Sequence, residues 1–125
     1  MEAHKSAKAL GYRGEELAVH FLQSKGYEIL GKNFTVRGGE IDVVARQDQI
    51  FVFVEVKTRT SESFGEGSES VTGLKKDRLL RAINRYLAEK IQIHDPDYRL
   101  DIIEVELDSS SKSLKKINHF EDVEL

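Results

Sequence analysis

Apolar residues in the first part of the chain recur with the spacing of an amphipathic helix. The inner stripe contains Leu10, Leu17 and Phe21, and it predicts a helix from about Ser6 to Lys25. Gly26 follows directly, and glycine is a common residue at the carboxyl-terminal end of a helix. The chain is therefore expected to open with one helix that buries a single face.

Apolar runs after this helix predict three strands. The first extends from Tyr27 to Phe34, the second from Gly39 to Val44, and the third from Ile50 to about Arg59. Only Gln47 to Gln49 separates the second run from the third, so these two strands should form an antiparallel hairpin.

A second helix and a further strand are predicted in the last half. The helix runs from about Thr72 to Ile91, and the strand runs from Tyr98 to Leu107. Because the connection is strand, helix, strand, this strand should lie parallel to a partner in the same sheet. The residues expected to face inward from the helix are Leu79, Leu80, Ile83, Tyr86 and Leu87.

Polar segments separate these elements. Residues 60–70 include Gly65 and Gly67, which predict a mobile loop or lid. Residues 108–116 are rich in serine and lysine and predict a second loop, after which residues 117–123 add an edge strand.

The fold class expected from this order is α/β. The elements α-β-β-β-α-β give a mixed sheet with helices on both faces. A chain of 125 residues forms one domain of this kind, spanning residues 1–125, with a hydrophobic core of its own.

Three charged residues lie in the predicted hairpin, where apolar residues dominate. Asp42 belongs to one strand, and Glu55 and Lys57 belong to the next. Glu55 and Lys57 share one strand face because side chains alternate, and Asp42 joins them if the two strands pair. Phe51 and Phe53 are on the same face as Glu55, so apolar packing should cover part of it.

This set of residues suits hydrolysis of a phosphodiester. Asp42 and Glu55, with the backbone carbonyl of Val56, could bind Mg²⁺ or Mn²⁺ with several waters retained. Lys57 would hold the attacking water and offset charge on the phosphate. The alternative is that Asp42, Glu55 and Lys57 form an ordinary ion pair on an exposed strand face.

The first helix offers another acid. Glu15 lies at the border of the apolar stripe and could reach the metal directly or through water, whereas Glu16 points away. The competing interpretation of Glu15 is a boundary glutamate in a salt bridge. Glu40 shares a face with Asp42 and is a weaker candidate, better explained as an exposed acid near a turn.

The net charge of the chain does not favour binding to nucleic acid, but the charge of one segment does. The net charge is −3, but residues 71–90 carry six basic residues against two acidic ones. The candidate phosphate contacts are Arg59, Lys75, Arg78, Arg81 and Arg85; the alternative for each is plain solvation. The histidines, which show no metal-ligand spacing and are expected at the surface or its boundary, are His4, His20, His94 and His119.

Cysteine is absent, which excludes disulfides, thiolate zinc sites and a cysteine nucleophile. No apolar segment at the amino terminus resembles a secretion signal, and none elsewhere approaches the length of a membrane span. We therefore expect a soluble cytoplasmic protein with no membrane partner.

Taken together, these motifs resemble the bacterial YraN-type family, small proteins with a restriction-endonuclease-like fold. The resemblance spans about Leu10 to Val105. It rests on Gly14-Glu15, Asn33, Gly39-Glu40-Ile41-Asp42, Phe53-Val54-Glu55-Val56-Lys57-Thr58-Arg59, Lys75, and Arg99 with Asp101.

The resemblance implies that Asp42, Glu55 and Lys57 occupy the positions of the PD-(D/E)XK nuclease signature, with Glu15 as the acid carried by the helix. The chain departs from that signature at Ile41, which stands in place of the proline, a residue that is dispensable in many members. The wider superfamily includes archaeal Holliday-junction resolvases, which act as symmetric dimers, and this likeness implies a homodimer.

The expected function is a Mg²⁺- or Mn²⁺-dependent endonuclease acting on DNA, including branched or damaged DNA. The alternative is a non-catalytic nucleic-acid-binding or scaffold domain that keeps the nuclease-like fold. The sequence shows no aromatic stacking platform, which disfavours a single-strand binder. A third possibility is a plain interaction domain in which the three charges form a structural ion pair.

Overall fold

The computed structural model describes residues 2–60 and 73–124, and for residues 2–7, 73 and 74 it describes the backbone alone. The helices are α1 (Glu2–Ser24) and α2 (Gly73–Lys90). The strands are β1 (Glu28–Val36), β2 (Gly39–Gln47), β3 (Ile50–Thr60), β4 (Tyr98–Leu107) and β5 (Leu114–Phe120). The predicted lid around Gly65 and Gly67 lies outside the described residues.

In the described part of the chain, five strands form one mixed sheet in the order β1-β2-β3-β4-β5. β3 and β4 run parallel, and the other neighbours are antiparallel. The predicted α/β fold class, the hairpin between β2 and β3 and the parallel partner of β4 are confirmed. Neither helix is both long enough and apolar enough to cross a lipid bilayer.

The two faces of the sheet are covered by different helices. α1 covers one face through Ala18 and Leu22, which are fully buried against side chains of β2, β3 and β4 such as Val54. α2 covers the other face, where it packs on β1 and β2 through Leu79, Ala82, Ile83 and Tyr86. These two clusters are the hydrophobic core of the described chain.

Two details of the sequence prediction change. Leu80 does not join the core beneath α2; it is half-buried and lines a shallow depression with Arg81 and Arg85, while Ala82 is buried instead. β5 begins at Leu114, within the segment predicted as a loop. Its first three residues are exposed and include Lys115 and Lys116, as is typical of an edge strand, so they lack the apolar alternation that marks a strand.

The close approach of α1 to β3 depends on a glycine. A Cβ atom built on Gly14 would lie 1.8 Å from Oγ1 of Thr58, a distance at which two atoms cannot coexist. A glycine inside a helix lowers helix stability, so its presence here is explained by this contact. The contact places the middle of α1 directly over the end of β3.

Candidate functional site

A polar cavity of about 430 Å³ lies where α1, β2, β3 and α2 meet. It opens beside the point at which β2 and β3 stop pairing, because their ladder ends at the pair Val43 and Val54. The lining residues are Leu10, Gly11, Glu15, Glu40, Asp42, Glu55, Val56, Thr58, Lys75, Arg78 and Leu79.

Asp42 is fixed by the backbone of the neighbouring strand. Its Oδ2 atom accepts a hydrogen bond of 2.8 Å from the backbone N–H of Val56. Burial and the charge of Glu55, with smaller contributions from Glu15 and Glu40, raise the pKa of Asp42 to about 8, although the Val56 hydrogen bond lowers it. Asp42 is therefore a carboxyl that holds its proton at neutral pH unless a cation is present.

Glu55 is the second acid of the cavity and is only 7 % exposed. It is paired with α2: Oε2 of Glu55 lies 2.5 Å from Nζ of Lys75, whose side chain is about half exposed. Sequence reasoning assigned Lys75 to phosphate binding. The structure shows that it is also the counter-ion of Glu55, a contact that the order of residues along the chain does not reveal.

Glu15 reaches the same cavity from α1. Burial raises its pKa, a hydrogen bond with Asn33 lowers it, and the charge of Glu40 raises it again. Glu16 is exposed and lies 3.7 Å from Arg13, so the prediction that it points away is confirmed. The structure therefore brings Glu15, Asp42 and Glu55 into one cavity.

Glu40 also lines this cavity, although the sequence interpretation preferred an exposed acid near a turn. It is exposed, as expected, yet its charge acts on the pKa of both Glu15 and Asp42. Four acidic side chains thus face Lys75 and Arg78 across the cavity, which leaves its formal charge negative.

Lys57 and Arg59 lie further along β3. Both are half-buried, and neither is among the described residues that line the cavity. Lys57 shares a face with Glu55 and is the register partner of Glu104 on β4. Glu104 is only 2 % exposed, and its Oε2 atom has no hydrogen-bond partner among the described residues, while its Oε1 atom accepts a weak bond from Asn118.

The four candidate phosphate contacts on α2 divide into two groups. Lys75 and Arg78 line the cavity, whereas Arg81 and Arg85 line the shallow depression further along the helix. Arg85 is engaged by Glu89 one turn later. The sequence predicts all four as phosphate contacts, and the structure brings the first two to the site.

The cavity offers the donors that a hard divalent cation prefers. Asp42, Glu55 and Glu15 supply carboxylate oxygens. Burial first, and the repulsion between neighbouring acids second, raise the pKa of Asp42 and of Glu15, and a cation would relieve that repulsion. Among the residues that the structure describes, no group of three or more His, Asp or Glu side chains has an arrangement that could hold a metal ion.

A second group of charged side chains lies at the far end of α1. Asp101 is fully buried and accepts hydrogen bonds from Arg99 (2.9 Å), from Nε2 of His119 (2.8 Å) and from the backbone N–H of Asp122 (2.9 Å). Arg99 also donates to the hydroxyl of Tyr27 at 2.6 Å. This network joins β4, β5 and the residues after β5 beside α1.

His119 was expected at the surface or its boundary, and the residue as a whole is half-buried, but its imidazole is not a surface group. Its side chain is 4 % exposed, and the ring lies between Asp101 and Lys25, whose Nζ is 2.9 Å from Nδ1. His20 and His94 are exposed as predicted, and the side chain of His4 lies outside the described residues. The pairing of Arg99 with Asp101, two residues apart on β4, was the available sequence signal for this network.

The fold and the cavity define the class of protein: an α/β domain with a mixed sheet and an acidic cavity lined by residues of both helices. The model of the uncharacterised protein family UPF0102 matches residues 14–105, and the chain belongs to this family, the YraN-type family.

Relatives within the family match over nearly their whole length. A UPF0102 protein of Clostridium perfringens is 45 % identical over 112 residues, covering 88 % of this chain and 91 % of the relative. One of Alkaliphilus oremlandii is 45 % identical over 116 residues, covering 92 % and 97 %. One of Geobacter metallireducens is 43 % identical over 115 residues, covering 91 % and 93 %.

Proposed function

We propose that this protein is a metal-dependent endonuclease that hydrolyses DNA phosphodiesters. The observation that carries the proposal is the meeting of Asp42 and Glu55 in one cavity, with the pKa of Asp42 raised to about 8. A carboxyl in this state costs free energy when it ionises, and a bound cation would repay that cost. The resemblance to the restriction-endonuclease-like fold supports the same assignment.

The proposed ligands are the carboxylates of Asp42 and Glu55 and the backbone carbonyl of Val56. Glu15 binds directly or through a water. Mg²⁺ or Mn²⁺ would supply charge to the phosphate and lower the pKa of a bound water. The N–H of Val56 already holds Oδ2 of Asp42, so Oδ1 is the oxygen that would bind the cation.

Two lysines take separate roles in this proposal. Lys57 orients the attacking water and offsets charge on the phosphate. When Glu55 binds the cation, its attraction for Lys75 weakens, and the ammonium group of Lys75 is then available to a phosphate oxygen. Arg78 lies beside it in the same cavity, and Arg59, Arg81 and Arg85 would extend contacts along the DNA backbone.

The second candidate function is a DNA-binding or scaffold domain that does not cut. The salt bridge between Glu55 and Lys75 favours it, because a glutamate satisfied by a lysine has less need of a metal. In both cases the partner is DNA, and two copies acting together would suit a substrate with two equivalent strands.

One assay separates these functions. The purified protein is incubated with duplex, single-stranded and four-way-junction DNA in Mn²⁺, beside Lys57→Ala and the control Lys116→Ala, which removes an exposed lysine on β5. Cleavage that requires Mn²⁺ and is lost only in Lys57→Ala supports the nuclease. Tight binding without cleavage supports the scaffold. If the protein neither cleaves nor binds any of these DNAs, the plain interaction domain is the interpretation that remains.

Calorimetric titration tests the ligands directly. Asp42→Asn should abolish Mn²⁺ binding while circular dichroism shows an intact fold, because the amide oxygen can still accept the Val56 hydrogen bond. Unchanged Mn²⁺ affinity in this variant would refute the ligand assignment.

A further inference from the structure

A second cavity of about 400 Å³ adjoins the candidate site along α1. Both cavities include Gly11, Glu15 and Glu40 in their linings, so they lie next to each other. The residues that line only the second cavity are Lys8, Tyr12, Asn33 and Thr35. A strand that crosses the acidic site can therefore extend into this cavity.

Tyr12 gives the second cavity an aromatic wall. Its side chain is 56 % exposed, although an aromatic ring usually gains stability from burial. An exposed ring at the wall of a polar groove is a stacking surface for a nucleobase. It offers a single ring, which suits one base rather than a run of bases.

The neutral polar groups of the second cavity suit a nucleobase. The amide of Asn33 bonds to Glu15 on one side and keeps its remaining donor and acceptor capacity, and Oγ1 of Thr35 donates to the backbone carbonyl of Asn33 at 3.3 Å, which leaves its lone pairs able to accept. Neutral donors and acceptors of this kind form hydrogen bonds with base edges. Glu15 and Glu40 outweigh the single positive charge of Lys8 in this lining, so the cavity does not favour a phosphate.

Gly11 keeps the passage between the two cavities open. A Cβ atom added to Gly11 would meet no atom within 4 Å, so packing does not require glycine there. Gly14, three residues later in the same helix, is required by its contact with Thr58. Gly11 lowers helix stability, and packing does not explain its presence. Its position between the two cavities offers another explanation, because a glycine there leaves free space for a ligand.

We propose that the second cavity binds one unpaired nucleobase of a DNA strand whose backbone crosses the acidic site, with the base stacked on Tyr12. The inference rests on the proposed nuclease function and specifies its substrate: DNA in which a base next to the scissile phosphate is free of its partner, as in a fork or branch.

The test uses three fluorescein-labelled DNA probes of one sequence in Ca²⁺, which permits binding measurements by anisotropy. The first is a fully paired duplex, the second a fork with one unpaired arm, and the third the same fork with abasic sites in that arm. The third probe keeps the phosphates and the flexibility of the fork but lacks the bases.

The variants separate stacking from folding. Tyr12→Ala removes the ring, Tyr12→Phe keeps it, and Tyr98→Ala removes another exposed tyrosine at the start of β4. Gly11→Leu fills the passage with a residue that favours helix, so its melting temperature should be unchanged or raised. Loss of binding in Gly11→Leu therefore reports the blocked groove rather than unfolding.

The wild type, Tyr12→Phe and Tyr98→Ala should bind the fork about tenfold more tightly than the duplex or the abasic fork, as expected for one stacked base. Tyr12→Ala and Gly11→Leu should lose this preference. Equal affinity of the wild type for the fork and the abasic fork, an unchanged preference in Tyr12→Ala, or no DNA binding at all would overturn the proposal.

The same probes in Mn²⁺ distinguish this failure from failure of the nuclease. Cleavage without a fork preference refutes the base site and retains the nuclease. A fork preference that depends on Tyr12, without cleavage of any probe, retains the base site and refutes the nuclease.

Discussion

The backbone N–H of Val56 donates a 2.8 Å hydrogen bond to Oδ2 of Asp42, at the place where the ladder between β2 and β3 has ended. The carboxyl takes the position that a strand carbonyl would otherwise fill. Asp42 is thus oriented by backbone geometry, while burial and the charge of Glu55 raise its pKa to about 8. Orientation without ionisation is a suitable state for a carboxyl that awaits a cation.

Asp42→Asn should stabilise the metal-free protein at pH 8 and flatten its dependence on pH. The folded pKa of about 8 lies above the unfolded value, so the folded state keeps a proton that the unfolded state has lost. Stability of the wild type therefore falls as pH rises from about 4 to 8. Urea unfolding at pH 5, 6.5 and 8 measures the slope, with Asp97→Asn at an exposed position as control. Parallel curves for wild type and Asp42→Asn would contradict the assignment.

Lys75→Gln should destabilise the metal-free protein. The variant leaves the buried carboxylate of Glu55 without its ammonium partner, which costs about 1–2 kcal/mol after allowance for the half-exposed lysine. If Glu55 binds Mn²⁺ as proposed, saturating Mn²⁺ should reduce this loss. Urea unfolding with and without Mn²⁺ measures both effects, and Lys76→Gln on the adjacent position is the control. A variant as stable as the wild type would show that the salt bridge contributes nothing.

The two glycines of α1 should respond in opposite directions to alanine. Gly14→Ala forces a methyl group onto Thr58 and should lower the melting temperature by several degrees. Gly11→Ala meets no atom within 4 Å and should stabilise the helix by about 0.5–1 kcal/mol. Thermal unfolding of both variants measures the contrast. A stable Gly14→Ala would mean that α1 can move away from β3.

Asp101→Asn should destabilise the fold far from the cavity, by about 3 kcal/mol, because it leaves the guanidinium of Arg99 without a buried anion. Burial opposes ionisation of Asp101, but hydrogen bonds from His119, Arg99 and Asp122 lower its pKa below the usual value. The wild type therefore keeps this stabilisation at neutral pH and loses it below about pH 4. Unfolding at pH 7 and pH 3 tests this: the difference between the two proteins should shrink in acid. A constant difference would contradict the role of the charge.

The fold was predictable because its main signals are local. Apolar alternation marked β2, β3 and β4, and the short break at Gln47 to Gln49 identified the hairpin. β5 begins earlier than expected because an exposed edge strand with Lys115 and Lys116 has no apolar period. Periodicity in sequence detects burial, so it cannot detect a strand that is mostly exposed.

The site was predictable only where consecutive strands bring their residues together. Asp42 and Glu55 follow from the hairpin, but the salt bridge of Glu55 with Lys75 joins β3 to α2 across a long connection. The burial of His119 depends on β5 pairing with β4, which also lies beyond local patterns. The sequence does not indicate a binding role for Tyr12, because a single aromatic residue on a helix is usually part of a core.

The residues after β5 are attached to β4 by two backbone hydrogen bonds, from Asp122 to the Asp101 carboxylate and from Val123 to the Leu100 carbonyl. Lys25, just past α1, contacts both His119 and Glu121 in the same region. The carboxyl-terminal segment therefore holds the end of α1 against the sheet, and the middle of the same helix carries Glu15. Shortening the protein at that end would loosen a wall of the cavity from the opposite side of the molecule.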